Sequence, residues 1–263
     1  MTILQSNSIP ASEFRPVVRH IDKGELRWAL AQGWKDFGEK RGDLLMLAVL
    51  YPLVGYAAAA AAFNANLLPL FFPLVAGLSI LGPAVATGFY EIARRREAGL
   101  DSTWRHFFDP LFGRGRIALA VLTMGLLALF GAWLLSAAFI YSATMGPAPP
   151  ASLPAFLRAV FTTPSGWTLI VVGNLVGFAF AVVTLTVSLV SFPMVIDRPI
   201  DPLTAIETSI RAVAANPAVM TLWGVRVALL LALGCLPGFL GLTIVLPVLG
   251  YATWHLYTCV VER

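Results

Sequence analysis

Residues 116–143 read RIALAVLTMGLLALFGAWLLSAAFIYSA. After Arg116 the stretch carries no charged side chain, and it exceeds the roughly 20 residues a helix needs to cross the hydrocarbon core of a bilayer. A helix apolar on every side has no face to offer water, whereas in lipid it satisfies its own backbone hydrogen bonds. Working outward, five more stretches read the same way, at 44–63, 67–93, 167–196, 219–236 and 239–257. The whole chain agrees: 58% of its 263 residues are hydrophobic, 12% are charged and the mean hydropathy is +0.80. A water-soluble domain carries roughly twice that share of charge. The predicted fold is therefore all-α, a polytopic membrane protein with six transmembrane helices.

The charges that do occur border the spans. Arg15, Arg19, Lys23, Arg27, Lys35, Lys40 and Arg41 precede the first. Arg94, Arg95, Arg96, Arg105, Arg114 and Arg116 separate the second from the third. Arg198 and Arg211 lie between the fourth and fifth, and Arg263 ends the chain, while the opposite side has Arg158 alone. Sixteen against one orients the protein by the positive-inside rule, with both termini cytoplasmic. The net charge of +4 thus reads as a topology signal and not as a nucleic-acid footprint. The first 43 residues are polar, with no apolar run before a cleavage site, so the first span is the expected insertion signal. Cys235 and Cys259 fall near opposite ends of the last two spans and are expected to be free thiols.

The spans are organised in pairs. Very short turns at 64–66 and around Pro237–Gly238 make spans one and two, and spans five and six, antiparallel hairpins. Residues 22–37 place Leu26, Leu30, Gly33/Trp34 and Phe37 at helical spacing, with charges on the other sides. This predicts an amphipathic helix lying at the cytoplasmic interface. Segments 101–112 and 202–215 occupy equivalent places before later spans. The chain is then a flexible cytoplasmic tail, 1–21, followed by one six-helix domain, 22–263, built from units at about 22–93, 101–196 and 202–257. Each unit is an interfacial helix plus a hairpin. Pro83, Pro193 and Pro247 recur in the even spans and predict kinks there.

Eight residues stand out as functional or lipid-contacting candidates. Arg226 lies seven to nine residues into span five, about 10–14 Å of helical rise, where an unpaired charge costs about 2.5–3.5 kcal/mol. Two placements follow: an inward guanidinium meeting an anion or carboxylate, or a side chain snorkelling to the interface. Glu91 stands one turn before Arg94, Arg95 and Arg96, so an i,i+3 or i,i+4 pair is the plain reading and a proton relay the sharper one. The three arginines suit anionic headgroups. Asp197 and Asp201 flank a proline-rich corner. Asp201 is expected to cap the helix that Pro202 begins, and the alternative is that the two carboxylates, near Arg211 or Arg226, bind a cation or relay protons. His255, among Tyr251, Trp254 and Tyr257, reads as part of an aromatic belt.

No metal-ligand spacing, nucleophile motif or phosphate loop is present, so no cofactor, metal or catalytic residue is assigned. A haem–copper subunit would need histidines embedded in spans, and His20, His106 and His255 are all read as interfacial. Ala31-Gln-Gly-Trp34-Lys-Asp36, Leu81-Gly-Pro-Ala-Val-Ala-Thr-Gly-Phe-Tyr-Glu91, Ser191-Phe-Pro-Met-Val-Ile-Asp-Arg198, Ala212-Val-Ala-Ala-Asn-Pro217 and the closing 246–257 together resemble a family of bacterial, proteobacterial-type predicted integral membrane proteins of unknown function. The resemblance implies a multi-pass inner-membrane protein and brings no catalytic residues. The function expected is a structural, assembly or accessory membrane component that is not an enzyme. Its expected partners are anionic headgroups at the cytoplasmic face and a membrane-protein complex, without nucleic acid. A small-solute or ion transporter built around Arg226 is the alternative, and it requires a polar path through the bundle.

Overall fold

The computed structural model describes residues 16–39 and 68–263, with positions 53, 56, 57 and 60 in addition. Among these residues the fold is helical, with a single isolated antiparallel bridge between Val18 and Val261. Five stretches are long and apolar enough to cross a membrane: Leu68–Glu97, Arg116–Met145, Pro164–Asp197, Pro217–Cys235 and Leu242–Val260. The expected first span, 44–63, and the turn at 64–66 lie outside the described residues, apart from the four isolated positions, which are helical.

The elements are α1 (Lys23–Glu39), α2 (Phe71–Gly77), α3 (Gly82–Val85), α4 (Thr87–Glu97), a 3-10 segment (Trp104–Leu111), α5 (Arg116–Met145), α6 (Leu153–Thr162), α7 (Pro164–Ser188), α8 (Ser191–Asp197), α9 (Pro202–Ala215), α10 (Pro217–Cys235) and α11 (Leu242–Val260). α5 packs on α7 and α10 on α11. Helix α6, in a connection the sequence leaves unassigned, turns directly into α7 at Thr163, whose hydroxyl accepts from the Gly166 N–H.

Two even spans are broken near their prolines. Leu68–Glu97 passes through 3-10 turns and short helices, with Pro83 in the first turn of α3. Between α7 and α8 the break has an inserted side chain. The Ser209 hydroxyl of α9 accepts from Val190 N–H at 3.2 Å and donates to Thr186 carbonyl at 2.7 Å, replacing the helical bond between them. Pro193, in the first turn of α8, removes a further N–H. α11, by contrast, runs unbroken through Pro247.

The charged-end segments dock in rotation. The 3-10 segment packs on α4 and α9 on α7 and α8, each against the span preceding it. α1 packs on α11, the last span of the chain, and so joins the two ends. The ends of the even spans, α4, α8 and α11, also pack on one another. Around them sits the densest part of the molecule, with Phe89, Tyr90, Phe192, Trp223, Tyr251, Trp254 and Tyr257 at 2% exposure or less. This corrects the aromatic-belt reading of 251–257: those rings point into protein, because α1, α4 and α8 cover the last turns of α11.

The N-terminal boundary also moves. Within the segment read as a tail, Arg19 N–H bonds to Val260 carbonyl and Glu262 N–H to Val17 carbonyl. Ile21 N–H donates to the buried Asn216 side chain, whose amide donates to the Arg19 and Ala212 carbonyls. From this strap α1 runs back along α11: Trp28 meets the His255 ring, and Gly33 lies where a Cβ would be 2.7 Å from the Val248 carbonyl oxygen. α1 therefore packs lengthwise against a span through Leu26, Ala29, Gly33, Asp36 and Phe37, where the sequence predicts a helix lying flat. Trp34, assigned to that apolar face, is exposed.

Candidate functional site

Helix α4 carries the charges Glu91, Arg94, Arg95, Arg96 and Glu97, and its 3.6-residue turn sends them to three different neighbours. Glu91 is buried, and Arg94 grips it with a two-pronged bond, Nε to Oε2 at 2.8 Å and Nη2 to Oε1 at 2.7 Å. Arg95 approaches the same carboxylate at 3.6 Å and Asp109 at 3.4 Å, while its Nε donates to the Asp101 carbonyl at 2.6 Å. The i,i+3 and i,i+4 pairing expected for Glu91 is thus present. His106 joins the group from the 3-10 segment, with Nδ1 2.7 Å from Asp109 and Nε2 3.1 Å from Asp101. The Asp109 carboxylate, with Asp101 behind it, holds the His106 pKa above its ordinary value, and the bond from His106 holds that of Asp101 below the usual carboxylate range.

Arg96 turns toward α1. Its Nη1 lies 3.0 Å from Asp36 Oδ1, and its Nη2 pairs with Glu39. Asp36 Oδ2 is 2.8 Å from His255 Nε2, so one buried carboxylate joins α1, α4 and α11. Tyr251, one turn before His255 and 1% exposed, keeps its hydroxyl without a hydrogen bond among the described residues. Nearby, Glu97 Oε2 accepts from Trp254 Nε1 at 3.2 Å and from Arg263 Nη2 at 2.7 Å. Asp197 accepts from the Tyr257 hydroxyl at 2.8 Å and lies 3.4 Å from Arg198 and 3.9 Å from Arg263. A shallow polar depression lined by Arg19, Glu97, Thr258, Val261, Glu262 and Arg263 opens beside this last group.

Of the eight sequence candidates, Glu91, Arg94, Arg95, Arg96, Asp197 and His255 come together at this end. Asp201 stands apart as the cap of α9, accepting from Thr204 N–H at 2.9 Å, a bond that also lowers its pKa. Asp197 and Asp201 pair with neither Arg211 nor Arg226; Arg211 sits 4.0 Å from Glu207 instead. Arg226 lies apart on α10, with Nη1 buried and no hydrogen bond among the described residues. The expected headgroup role of Arg94, Arg95 and Arg96 meets a different arrangement: each is paired with a carboxylate, and none is more than 31% exposed.

Sequence reasoning missed Asp36, Glu97, Tyr251, Tyr257, Asn216 and Arg263. For Asp36 a signal existed, since it follows Ala29 by seven residues and so shares the buried stripe of α1. Among the described residues no group of three or more His, Cys, Asp or Glu is placed to hold a metal. Cys235 and Cys259 are free thiols.

Inside α5 and α7, small polar side chains bond to their own helices, while Trp133 Nε1 of α5 donates to the Pro73 carbonyl at 2.7 Å. Ser136 donates to the Ala132 carbonyl, Asn174 to Ile170, Thr184 to Phe180, Thr186 to Val182 and Ser188 to Thr184. Large apolar side chains on α5, α7 and α10 face outward, among them Ile117, Phe139, Leu175, Phe178 and Leu233. A surface of this kind belongs in hydrocarbon. Residues 71–197 match the model of a family of predicted integral membrane proteins of unknown function, DUF2189. The family region runs from the start of α2 to the end of α8. It therefore contains Glu91, the three arginines and Asp197, while Asp36, Arg226 and His255 lie outside it. No curated protein and no solved structure matches the chain.

Proposed function

We propose that this integral membrane protein is a structural, assembly or accessory component of a bacterial inner membrane and carries no catalytic centre of its own. On this reading six spans form three hairpins, the charged end faces the cytoplasm, and exposed cations such as Arg105, Arg114 and Arg116 meet anionic headgroups. One observation carries the proposal: Ser136, Asn174, Thr184, Thr186 and Ser188, inside α5 and α7, bond to their own helices, and the buried carboxylates at one end are paired with cations. Polar groups committed in this way favour a rigid scaffold over a solute path, which requires groups free to exchange water for substrate.

The test is purification in mild detergent from the native membrane. An accessory component travels in a stoichiometric assembly larger than the chain with its detergent, and membrane-protein partners are identified in that peak. Arg226 supports a second reading, transport of an anion, because its buried Nη1 has no partner among the described residues. Thermal stabilisation of the isolated protein by a small anion, lost in Arg226→Met, would overturn the accessory reading in favour of transport.

A further inference from the structure

Helix α6 sits at the end of the molecule opposite the charged cluster, between two apolar spans. It is short, its hydroxyl cap at Ser152 accepts from the Ala155 N–H at 3.3 Å, and it closes onto the first turn of α7. At that corner a Cβ on Gly166 would strike the Val160 carbonyl, so the two helices touch through backbone and cannot drift apart without losing the contact. Phe156 and Val160 form one face of α6. Val160 is buried, and Phe156 packs at 6.2 Å between ring centroids on Tyr141 of α5.

The remaining faces have opposite character. Leu153, Leu157 and Phe161 follow one another at i, i+4 and i+8, and are 39%, 44% and 59% exposed. Ala155 and Thr162 lie on the far side of the helix from them, and the exposed Arg158 stands on the flank between the two faces. A connection immersed in water would leave three large apolar side chains in a row against solvent. Here the row continues into α7, where Trp167, Val171, Leu175 and Phe178 are exposed at the same helical spacing. With the spans in a bilayer the α7 row faces lipid, and the α6 row leads up to it across the short corner at 162–166.

We infer that α6 is a membrane-embedded interfacial helix: Leu153, Leu157 and Phe161 lie among the acyl chains of the leaflet at this end, and Arg158 stands at the level of the lipid phosphates. The occupant of the exposed face is phospholipid. The adjoining exposed apolar row of α7 supports this, as does a cation at the edge of the apolar face, an arrangement suited to the boundary between tails and headgroups. The inference rests on the spans lying in a bilayer and is independent of whether the protein scaffolds or transports.

The experiment uses the full chain, with Cys235→Ala and Cys259→Ala, in vesicles of phosphatidylethanolamine and phosphatidylglycerol. A fluorophore is attached to Leu157→Cys, Phe161→Cys, Ala155→Cys or Thr162→Cys in turn. Nitroxide on lipid tails should quench positions 157 and 161 several-fold more than aqueous iodide does, and the preference should reverse at 155 and 162. Equal iodide quenching at all four positions would place α6 in water and overturn the inference. Protection of 157 and 161 from both quenchers would also overturn it, because protein and not lipid would then cover the face. In the unaltered chain a lipid-soluble carbene should label Leu157 and Phe161 and spare Ala155, a readout that needs no substitution.

Discussion

The last span, α11, and the outward-facing span α5 obey different physics. The last three turns of α11 lie in a core of aromatic rings and paired charges, with Tyr251, Trp254 and Tyr257 almost wholly covered. Other spans face outward along most of their length: 28% of the most apolar part of α5 is buried against 56% for α11. Lipid accepts apolar surface without penalty, so the outward helices need little more than length and hydropathy. At the charged end water and headgroups compete for every polar group, and a close-packed interior with matched charges is required. The difference teaches that specificity in this molecule is concentrated where α1, α4, α8 and α11 meet.

Removing the central carboxylate is the strongest way to break that contrast. Asp36→Asn leaves Arg96 and His255 without their shared anion and should lower stability by about 3 kcal/mol, the penalty for stranding one side of a buried pair. Thermal unfolding in detergent measures it, with Asp101→Asn as the exposed control expected to shift the midpoint little. Equal shifts for the two would mean that burial does not distinguish the regions.

Backbone approach gives a second contrast. Gly33→Val places a side chain against the Val248 carbonyl and Ala252 and should cost about 1–3 kcal/mol by overpacking, whereas Gly173→Val on α7 meets nothing within 4 Å. Comparing the two unfolding midpoints tests whether α1 is clamped to α11 as tightly as the geometry requires.

The His106 group sharpens the electrostatic side. Its folded pKa lies above the ordinary value near 6.5, so its contribution to stability is complete below that pH and is lost as pH rises through the raised value. Asp101 acts in the opposite sense, its contribution being lost as pH falls through its lowered value. Nuclear magnetic resonance titration of the His106 ring should give a raised midpoint in the native chain and a lower one in Asp109→Asn. The smallest expected loss is at Arg226. Exchange for an apolar residue of similar length, Arg226→Met, should leave the midpoint unchanged or raise it, since no ion pair among the described residues is broken. A marked fall would reveal a partner.

Much of the fold was legible because hydrocarbon imposes a one-dimensional rule. Apolar runs the length of a bilayer mark spans wherever they occur, and the Asp201 cap, the Glu91 pairing and the breaks near Pro83 and Pro193 depend on neighbours a few residues away. The candidate site was legible only in part. Glu91 and Arg94 meet within one helical turn, but Asp36 and His255 are far apart in the chain and meet through α1 docking on the last span. The Ser209 hydroxyl inserted between Thr186 and Val190, and the Asn216 amide holding the N-terminal strap, leave no mark on local periodicity either.

Composition and hydropathy by themselves determined the membrane medium, the helical class, five spans among the described residues and the asymmetric placement of charge, because each is set by the make-up of a contiguous segment. Tertiary structure alone decided that α1 stands against α11, that Arg96 spends its charge on Asp36 and Glu39 of α1, and that Tyr251, Trp254 and Tyr257 are core and not belt. Those outcomes depend on which distant surfaces meet, and a buried charge is tolerated only where a partner from another helix arrives to neutralise it.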